Sequence, residues 1–502
     1  MLFHSQLFLF VFLPLCLAGY YLLARSRAAR GWWLLAASLL FYGYWDLRLL
    51  PLLVGSITVN WLFARFLGLS RRKATLLAGV ALNLAVLGLF KYADFFGESL
   101  AALTGASFRP WGIVLPLGIS FFTFQQISYL VDLRKGAAPV YGFRDYAMYV
   151  SFFPQLIAGP IVRHGELIFQ FDADPRRPGL EERFLRGFGL LGMGLAKKLF
   201  LADGLAAIAT PLFDGAAGGR ALTFAEGWIA AAAYTFQLYF DFSGYSDMAI
   251  GLALLFGFVL PFNFNAPYKS TSIRDFWRRW HMTLSRFLRD YLYIALGGNR
   301  RGQAAQMAFL MATMLLGGLW HGAGWTFVVW GGLHGLFLIV NHGWRYLCGR
   351  LGWQGRSLPL RIAAWALTFL AVTLAWVFFR ADTFGGAVQM LAGMAGVHDI
   401  LPSLGLIDPA SMNAGAISTQ TGHRAWRWIG GALVIAVALP NVYQLMRRYR
   451  PALGVPDRRY RLPGGFRPEW RISPPWAAAS ALLALVAFLM LTQVSEFLYF
   501  RF

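Results

Sequence analysis

The sequence predicts an all-α membrane protein: a polytopic transmembrane bundle of roughly a dozen helices, with broken or re-entrant helices and an interfacial amphipathic helix. Composition is the first reason, because 58% of the 502 residues are hydrophobic, 17% are aromatic, only 14% are charged, and the mean hydropathy is +0.53. A soluble protein of this composition would have no polar coat. The second reason is that apolar stretches long enough to cross about 30 Å of hydrocarbon as a helix recur along the whole chain.

Hydropathy defines the candidate spans, several of which are short. They are Phe3–Ala24, Trp32–Leu47, Leu49–Leu67, Thr75–Tyr92, Val114–Val131, Tyr146–Val162, Phe184–Leu201, Trp228–Phe240, Met248–Val259, Gln306–Trp320, Trp325–Leu347, Ile362–Phe379, Ala387–Val397, Trp426–Met446 and Trp476–Thr492. Glycine and proline interrupt many of them, and a broken helix is tolerated at membrane depth only where protein or water satisfies the freed backbone. We therefore expect a cavity within one membrane domain over residues 1–502, with loops at 173–183, 399–425 and 450–475.

The net charge of +22 raises the question of a nucleic-acid partner. The basic residues instead form short clusters between apolar spans, for example at 25–30 and 71–73. Such clusters are typical of cytoplasmic loops. No aromatic-basic platform or binding motif accompanies the charge, so we expect no nucleic-acid partner. The same pattern indicates a multi-pass protein with both clusters on the cytoplasmic face.

No metal or bound cofactor is expected from the sequence. Cys16 and Cys348 are far apart in apolar surroundings and read as inert thiols. There is no H-E-x-x-H motif, no Walker A motif and no serine in a G-x-S-x-G elbow. Any chemistry is therefore expected to come from histidine.

The segment 267–300 is predicted to form the amphipathic helix at the membrane interface. At about 100° per residue, its aromatic and leucine side chains share one face. A polar stripe beside that face contains Arg274, Arg278, His281, Ser285 and Arg289. The arginines can anchor the helix on lipid phosphates or attract an anionic donor, and the sequence leaves both roles open.

The run LLGGLWHGAGWTFVVWGGLHG at 315–335 places His321 and His334 in an otherwise apolar, glycine-rich stretch. Ionisable residues at membrane depth are costly and are usually retained for function. Gly322 and Gly324 permit a kink that would open the helix beside His321. Histidine is also well suited to take a proton from a hydroxyl near neutral pH. A purely structural histidine is the alternative for each, more so for His334.

Two further motifs carry polar groups among apolar ones. Asp241 and Asp247 lie in YTFQLYFDFSGYSDMAIG, and each is expected to pair with an arginine or a histidine, because a lone buried carboxylate is strongly disfavoured. Gln125 lies in SFFTFQQISYLVD, where a polar contact within the bundle is the leading explanation. We keep Asp241, Asp247 and Gln125, together with Arg274, Arg278 and Ser285, as candidate substrate-binding residues.

In this order along the chain, the motifs resemble the membrane-bound O-acyltransferase family, in particular its alginate O-acetylase branch and the related protein of teichoic-acid D-alanyl transfer. The resemblance rests on SFFTFQQISYLVD, FPQLIAGPIVRH, YFDFSGYSDMAIG, FWRRWHMTLSRFLRDYLYI, the WHG at 320–322 and the carboxy-terminal FLYFRF. It covers almost the entire chain.

The resemblance implies a many-helix bundle with funnels from both faces that meet near the two family histidines, which match His281 and His321. His321, the histidine of WHG, is implied to be the principal catalytic residue. The implied donor is cytoplasmic acetyl-CoA, the implied place is the bacterial inner membrane, and the acetyl group would pass to an exported polysaccharide such as alginate or to a periplasmic partner acetyltransferase. Two alternatives stay open: D-alanyl transfer to teichoic acid, and a transporter without chemistry of its own.

Overall fold

The computed structural model describes residues 1–353, 357–406, 419–455, 468–491 and 497–498. The named secondary-structure elements in these ranges are helices, which confirms the predicted all-α class. The longer helices are Leu13–Leu22, Arg27–Gly43, Leu50–Ser70, Lys73–Thr104, Ile119–Arg134, Phe143–Ser151, Leu180–Ala196, Asp203–Ala217, Phe224–Leu255, Gln303–His321, Trp325–Arg350, Leu358–Arg380, Phe384–Met394, Thr419–Leu433 and Pro474–Met490.

Within the described residues, five continuous helical stretches are long and apolar enough to cross a membrane by length and composition. They are Leu47–Ser70, Lys73–Thr104, Leu180–Ala217, Gln303–His321 and Leu358–Arg380. Their exposed large hydrophobic side chains are mostly leucine, with some phenylalanine and valine. The molecule is a polytopic helical membrane protein, as the hydropathy predicts.

Several predicted spans differ from the helices that form. The candidates at 228–240 and 248–259 belong to one helix, Phe224–Leu255, because the polar groups between them are satisfied inside the bundle. The candidate at 146–162 is interrupted instead: one helix ends at Ser151 and the short helix Phe153–Leu156 follows, with Pro154 in its first turn. Proline has no N–H to donate to the preceding turn, so a continuous helix is disfavoured there.

The Phe224–Leu255 helix is the centre of the bundle. It begins at Thr223, whose hydroxyl accepts a hydrogen bond from the Glu226 N–H while the Glu226 carboxylate accepts one from the Thr223 N–H. This capping box satisfies two backbone donors that a helix start leaves unpaired. From Ile229 onward nearly every side chain is buried, as expected of a helix that is apolar all round.

Asp241 and Asp247 on this central helix are each paired, although with lysine and not with the expected arginine or histidine. Lys197 Nζ lies 2.6 Å from Asp247, and Lys198 Nζ lies 2.8 Å from both Asp241 and Asp203. Both lysines belong to a π-helical turn, Lys197–Ala202, which packs against the central helix. These contacts make the two aspartates part of the bundle's internal ion pairs.

We expect Asp247→Asn to lower the stability of the folded protein by about 3 to 5 kcal/mol, because the change removes the carboxylate with which Lys197 pairs on the buried central helix. Asp241→Asn should cost less, because Lys198 keeps its ion pair with Asp203. Thermal melting of the detergent-purified protein, followed by its monodisperse fraction, measures the effect. Asp174→Asn is the control, since its pair with Arg176 is half-exposed and should contribute little to stability. Equal melting of all three variants would contradict the interpretation.

Candidate active site

The Gln303–His321 and Trp325–Arg350 helices form an antiparallel hairpin, here called the histidine hairpin. The backbone becomes extended at Gly322 (φ −152°, ψ 147°) and Gly324 (φ −168°, ψ 148°), so the predicted kink is a complete break between two helices. His321 is thereby the last residue of the first helix.

The two helices of the histidine hairpin approach closely at two glycines. A Cβ atom on Gly318 would lie 2.2 Å from the carbonyl oxygen of Phe327, and a Cβ on Gly331 would lie 2.3 Å from that of Met314. Any larger residue would push the helices apart. Small residues at such crossings are typical of helix packing in membranes.

The His321 side chain is buried among aromatic rings. Its ring centroid lies 4.9 Å from that of Trp320, 5.1 Å from that of Trp330 and 5.2 Å from that of Phe379, each in an edge-to-face arrangement. Edge-to-face packing fixes the plane of a ring without using its nitrogen atoms for hydrogen bonds to those neighbours. The imidazole is therefore held in place by packing.

The predicted amphipathic helix over 267–300 is not continuous. Helix Ile273–Trp277 ends before residue 281, and helix Met282–Phe287 begins after it. The segment between them also bonds to residues 263 and 265: Asn265 N–H donates to the Arg279 carbonyl at 2.9 Å, and Met282 N–H donates to the Asn263 carbonyl at 2.9 Å. These tertiary hydrogen bonds hold a turn between the two helices, so the single polar stripe is divided.

His281 occupies the turn between these helices in the left-handed conformation, with φ 41° and ψ 54°. This conformation is uncommon for a residue other than glycine and is often found at functional sites. It turns the side chain away from the arginines and into the core, where the imidazole is fully buried. The expectation that His281 lies in a cationic stripe is therefore wrong.

Asn263 determines the tautomer of His281. The Asn263 Oδ1 atom accepts hydrogen bonds from the N–H and the hydroxyl of Thr283 at 3.3 and 3.0 Å, so its only remaining role toward His281 Nδ1, 3.2 Å away, is that of acceptor. His281 Nδ1 must carry the proton, which leaves Nε2 with its lone pair. Within the described part of the chain, no hydrogen-bond partner reaches that Nε2 atom.

His281 and His321 are brought together from different parts of the chain. Their ring centroids lie 6.4 Å apart, and the Trp320 ring lies 6.4 Å from His281 and 4.9 Å from His321. Phe242 of the central helix also contacts His281, edge to face, with centroids 4.8 Å apart. Two imidazoles at this separation can contact one bound group from two sides.

Four residues of the predicted polar stripe do share a site. Arg274, Arg278, Ser285 and Arg289 line a cavity of about 550 Å³, here called the arginine cavity, together with apolar side chains of the histidine hairpin. Arg289 pairs with Asp290 at 2.6 Å. Among the described residues, no carboxylate lies within 4.0 Å of the Arg274 or Arg278 guanidinium, so both charges are available to a ligand.

A second cavity of about 270 Å³ lies at the other end of the same helix. We call it the Lys91 cavity, and its lining includes Lys91, Asp94, Gly322 and Ala323. The arginine cavity, by contrast, borders the helix from Gln306 to Met314. At 1.5 Å per residue, these positions lie about 22 and 10 Å before His321 along the axis. His321 thus separates the two cavities.

His334 is also buried but has a different environment. Trp277 Nε1 donates a hydrogen bond to His334 Nδ1 at 3.3 Å, and the Phe276 ring stacks on the imidazole with centroids 6.0 Å apart. The hydrogen bond joins His334 to the wall of the arginine cavity, since Trp277 lines that cavity.

The remaining candidates lie away from the two cavities. Asp241 and Asp247 are held by lysines, as described above. Gln125 is buried on the Ile119–Arg134 helix, beside a Phe124 ring that stacks on Trp320 at 5.1 Å. In the described ranges, no group of three or more histidine, cysteine or acidic side chains is placed to hold a metal ion.

Two residues of the site were not predicted: Asn263 and Lys91. Lys91 carried a signal, because it is a lysine inside an apolar span. Asn263 carried none, since its role arises from a tertiary contact with a residue 18 positions later.

Buried imidazoles between two cavities are the arrangement expected of a membrane enzyme that passes a group from one substrate to another. Comparison with known proteins makes that class specific, because the profile of the membrane-bound O-acyltransferase (MBOAT) family matches residues 133–379, a range that contains both histidines.

Individual relatives extend the match to the rest of the chain. The peptidoglycan O-acetyltransferase of Helicobacter pylori is 43% identical over 433 residues, covering 80% of this chain and 81% of the relative. "Probable alginate O-acetylase AlgI" of Pseudomonas putida is 38% identical over 516 residues, covering 100% of both chains. The teichoic acid D-alanyltransferase of Streptococcus thermophilus is more distant, at 29% identity over 45% of this chain and 57% of the relative. The protein belongs to the MBOAT family and is a membrane-embedded O-acetyltransferase.

We expect Gly318→Ala to destabilise the protein by about 1 to 3 kcal/mol, because the added methyl group meets a carbonyl oxygen at the crossing of the histidine hairpin. Gly343→Ala is the matched control: it lies on the same hairpin with no atom within 4 Å of its Cβ position, so it should be neutral or slightly stabilising. Thermal melting of both purified variants tests this. A Gly318→Ala protein that melts like the control would show that the hairpin can open.

Proposed function

We propose that the protein transfers acetyl groups from cytoplasmic acetyl-CoA across the bacterial inner membrane for O-acetylation of an exopolysaccharide such as alginate. The observation that carries the proposal is the pair of buried imidazoles, 6.4 Å apart, at the end of a helix bordered by two separate cavities. Full-length similarity to "Probable alginate O-acetylase AlgI" supports the acceptor class.

The arginine cavity supports the choice of donor. Acetyl-CoA carries several phosphate charges, and the guanidinium groups of Arg274 and Arg278 have no carboxylate partner within the described residues. Arginine binds phosphate oxygens in a bidentate manner. The cavity volume of about 550 Å³ is also within the usual range of small-molecule sites. The cavity lies beside the basic turn at 297–302, which the positive-inside pattern places on the cytoplasmic face.

In the proposed reaction, His321 acts as the general base. It takes the proton from the acceptor hydroxyl as the oxygen attacks the thioester carbonyl carbon; the new C–O bond forms, the C–S bond breaks, and the leaving thiolate receives the proton from the imidazolium. His281 assists from the other side with its Nε2 lone pair. That lone pair is free of a proton because Asn263 holds the ring proton on Nδ1. The acceptor hydroxyl would enter from the Lys91 cavity, either on the polymer or on a periplasmic partner acetyltransferase.

A second acceptor is favoured by a specific observation. The peptidoglycan O-acetyltransferase of H. pylori is as similar to this chain as the alginate-associated relatives are, so peptidoglycan is the alternative acceptor. D-Alanyl transfer has weaker support, because the two relatives with that name are only 29% and 25% identical and align with 45% and 55% of the chain. Loss of acetate from one isolated polymer on deletion of the gene separates these acceptors.

We expect His321→Ala to lower acetyl transfer by about 10² to 10⁴-fold at an unchanged amount of membrane protein, because a positioned general base contributes a factor of that size. His281→Ala should be strongly but less completely impaired. His334→Ala should be the mildest of the three, since its contact with Trp277 affects the cavity wall only. Acetate released from the purified polymer, normalised to immunodetected protein, is the measurement.

His423→Ala serves as the control for these variants, because this histidine is exposed on the Thr419–Leu433 helix. Transfer of label from acetyl-CoA by the purified protein provides an assay without the polymer. Normal acetylation by His321→Ala would reject the assignment of the base.

We also expect Arg274→Gln or Arg278→Gln to raise the KM for acetyl-CoA about tenfold with a smaller change in kcat, because a charged hydrogen bond to the donor contributes about 1.5 to 3 kcal/mol and arginine cannot act as a base. Arg289→Gln should act in the same direction but more weakly, since its charge is shared with Asp290. Arg279→Gln is the control: it lies on the same segment and pairs with Asp275 at 3.0 Å. A loss of kcat at unchanged KM would contradict the donor-binding role.

A further inference from the structure

The helix that ends at His321 is capped by side chains from another helix. The last four carbonyl groups of an α-helix have no partner within that helix. Here the Tyr92 hydroxyl donates to the Leu319 carbonyl at 2.8 Å, and Lys91 Nζ donates to the carbonyls of Trp320 and His321 at 2.6 and 3.0 Å. Two consecutive residues of the Lys73–Thr104 helix therefore satisfy the three final carbonyls of the helix that presents His321.

The Lys91 ammonium has no carboxylate partner within 4.0 Å among the described residues, although it is buried. Its third neighbour is the Ser120 hydroxyl, at 3.5 Å. Buried charges are normally neutralised by an opposite charge. In this protein the negative end of a helix dipole takes that role, and a cation at a helix carboxyl terminus is stabilised by it. The charge of Lys91 is thus tied to the one helix end that carries the proposed base.

Lys91 also lines the cavity on the far side of His321. The Lys91 cavity is bordered by Gly322 and Ala323, the two residues that follow His321. Gly322 is extended, so the chain leaves the helix at once and has no further turn to hold the last carbonyls. The two hydrogen bonds from Lys91, with the one from Tyr92, hold the backbone at this exit.

We propose that Lys91 is a positioning residue for His321: its ammonium group locks the carboxyl end of the helix and so sets the imidazole between the two cavities. The inference rests on the proposed role of His321 as the base. A misplacement of about 1 Å can lower an enzymatic rate about 10²-fold, so release of this helix end should slow turnover without altering donor binding at the distant arginine cavity.

The test compares Lys91→Ala and Lys91→Met with Tyr92→Phe in the purified full-length protein, using radiolabelled acetyl-CoA. We expect both Lys91 variants to lose at least about tenfold in kcat at an unchanged KM for acetyl-CoA. Tyr92→Phe is the matched control, because it removes one hydrogen bond from the same helix end without removing a charge, and it should lose less than about threefold.

Chemical rescue provides the readout that a merely structural lysine would not give. Propylammonium matches the atoms that Lys91→Ala removes, and the adjoining cavity of about 270 Å³ can admit it. We expect propylammonium to restore part of the lost kcat, whereas tetramethylammonium at the same ionic strength, which has no N–H to donate, should not.

Four results would overturn the inference: wild-type kcat in both Lys91 variants, no recovery with propylammonium, equal recovery with tetramethylammonium, or failure of both variants to accumulate, which would make Lys91 a folding residue. The His321→Ala variant distinguishes failure of the positioning role from failure of the proposed function. An inactive His321→Ala protein beside a normal Lys91→Ala protein rejects the positioning role alone. An active His321→Ala protein rejects the base, and the positioning role with it.

Discussion

The constraint on which the structure depends is that every backbone polar group freed at membrane depth must find a partner inside the protein. The breaks in the helices obey it one by one. Lys91 and Tyr92 donate hydrogen bonds to the carbonyls at the helix end of His321. At the turn of His281, the Asn263 carbonyl accepts a hydrogen bond from Met282 N–H. At the start of the short helix Phe153–Leu156, the Phe153 N–H donates to the Ser38 hydroxyl at 3.2 Å. Two of these three breaks position a histidine, so the devices that allow the chain to leave the helix also build the site.

The central helix imposes the complementary requirement for side chains. Because it is buried on all sides, its carboxylates need cations from a neighbour, and the π-helical turn at 197–202 presents two lysines at the necessary spacing. The same helix supplies Phe242 as one wall around His281. Internal ion pairing and the packing of the site therefore share a single element, which links the stability of the bundle to the geometry of its imidazoles.

Much of this was predictable from local pattern. Apolar length predicts most helices, and the cost of burying an imidazole makes His321 a candidate functional residue from the sequence alone. The periodicity of 267–300 misled for a physical reason, because an amphipathic pattern describes what a segment would do alone. In the protein, Asn265 N–H donates to the Arg279 carbonyl and the Asn263 carbonyl accepts from Met282 N–H, and these bonds hold a turn in place of a continuous helix. Asn263 could not be anticipated, because nothing in its own neighbourhood demands it. The pairing of Asp241 and Asp247 was foreseeable as a need, but the identity of the cation depended on how two distant helices are wound.

The arginine cavity has a consequence for the length of a usable donor. Its wall along the histidine hairpin begins about 10 Å and ends about 22 Å from His321. Under the proposed function, a donor whose anionic groups bind in this cavity would need an extended arm to bring its acyl carbon to His321. An acyl phosphate, whose charge lies only a few bonds from the reacting carbon, would not span that distance. The cavity would then select a donor by the separation between its charge and its acyl carbon as well as by the charge itself.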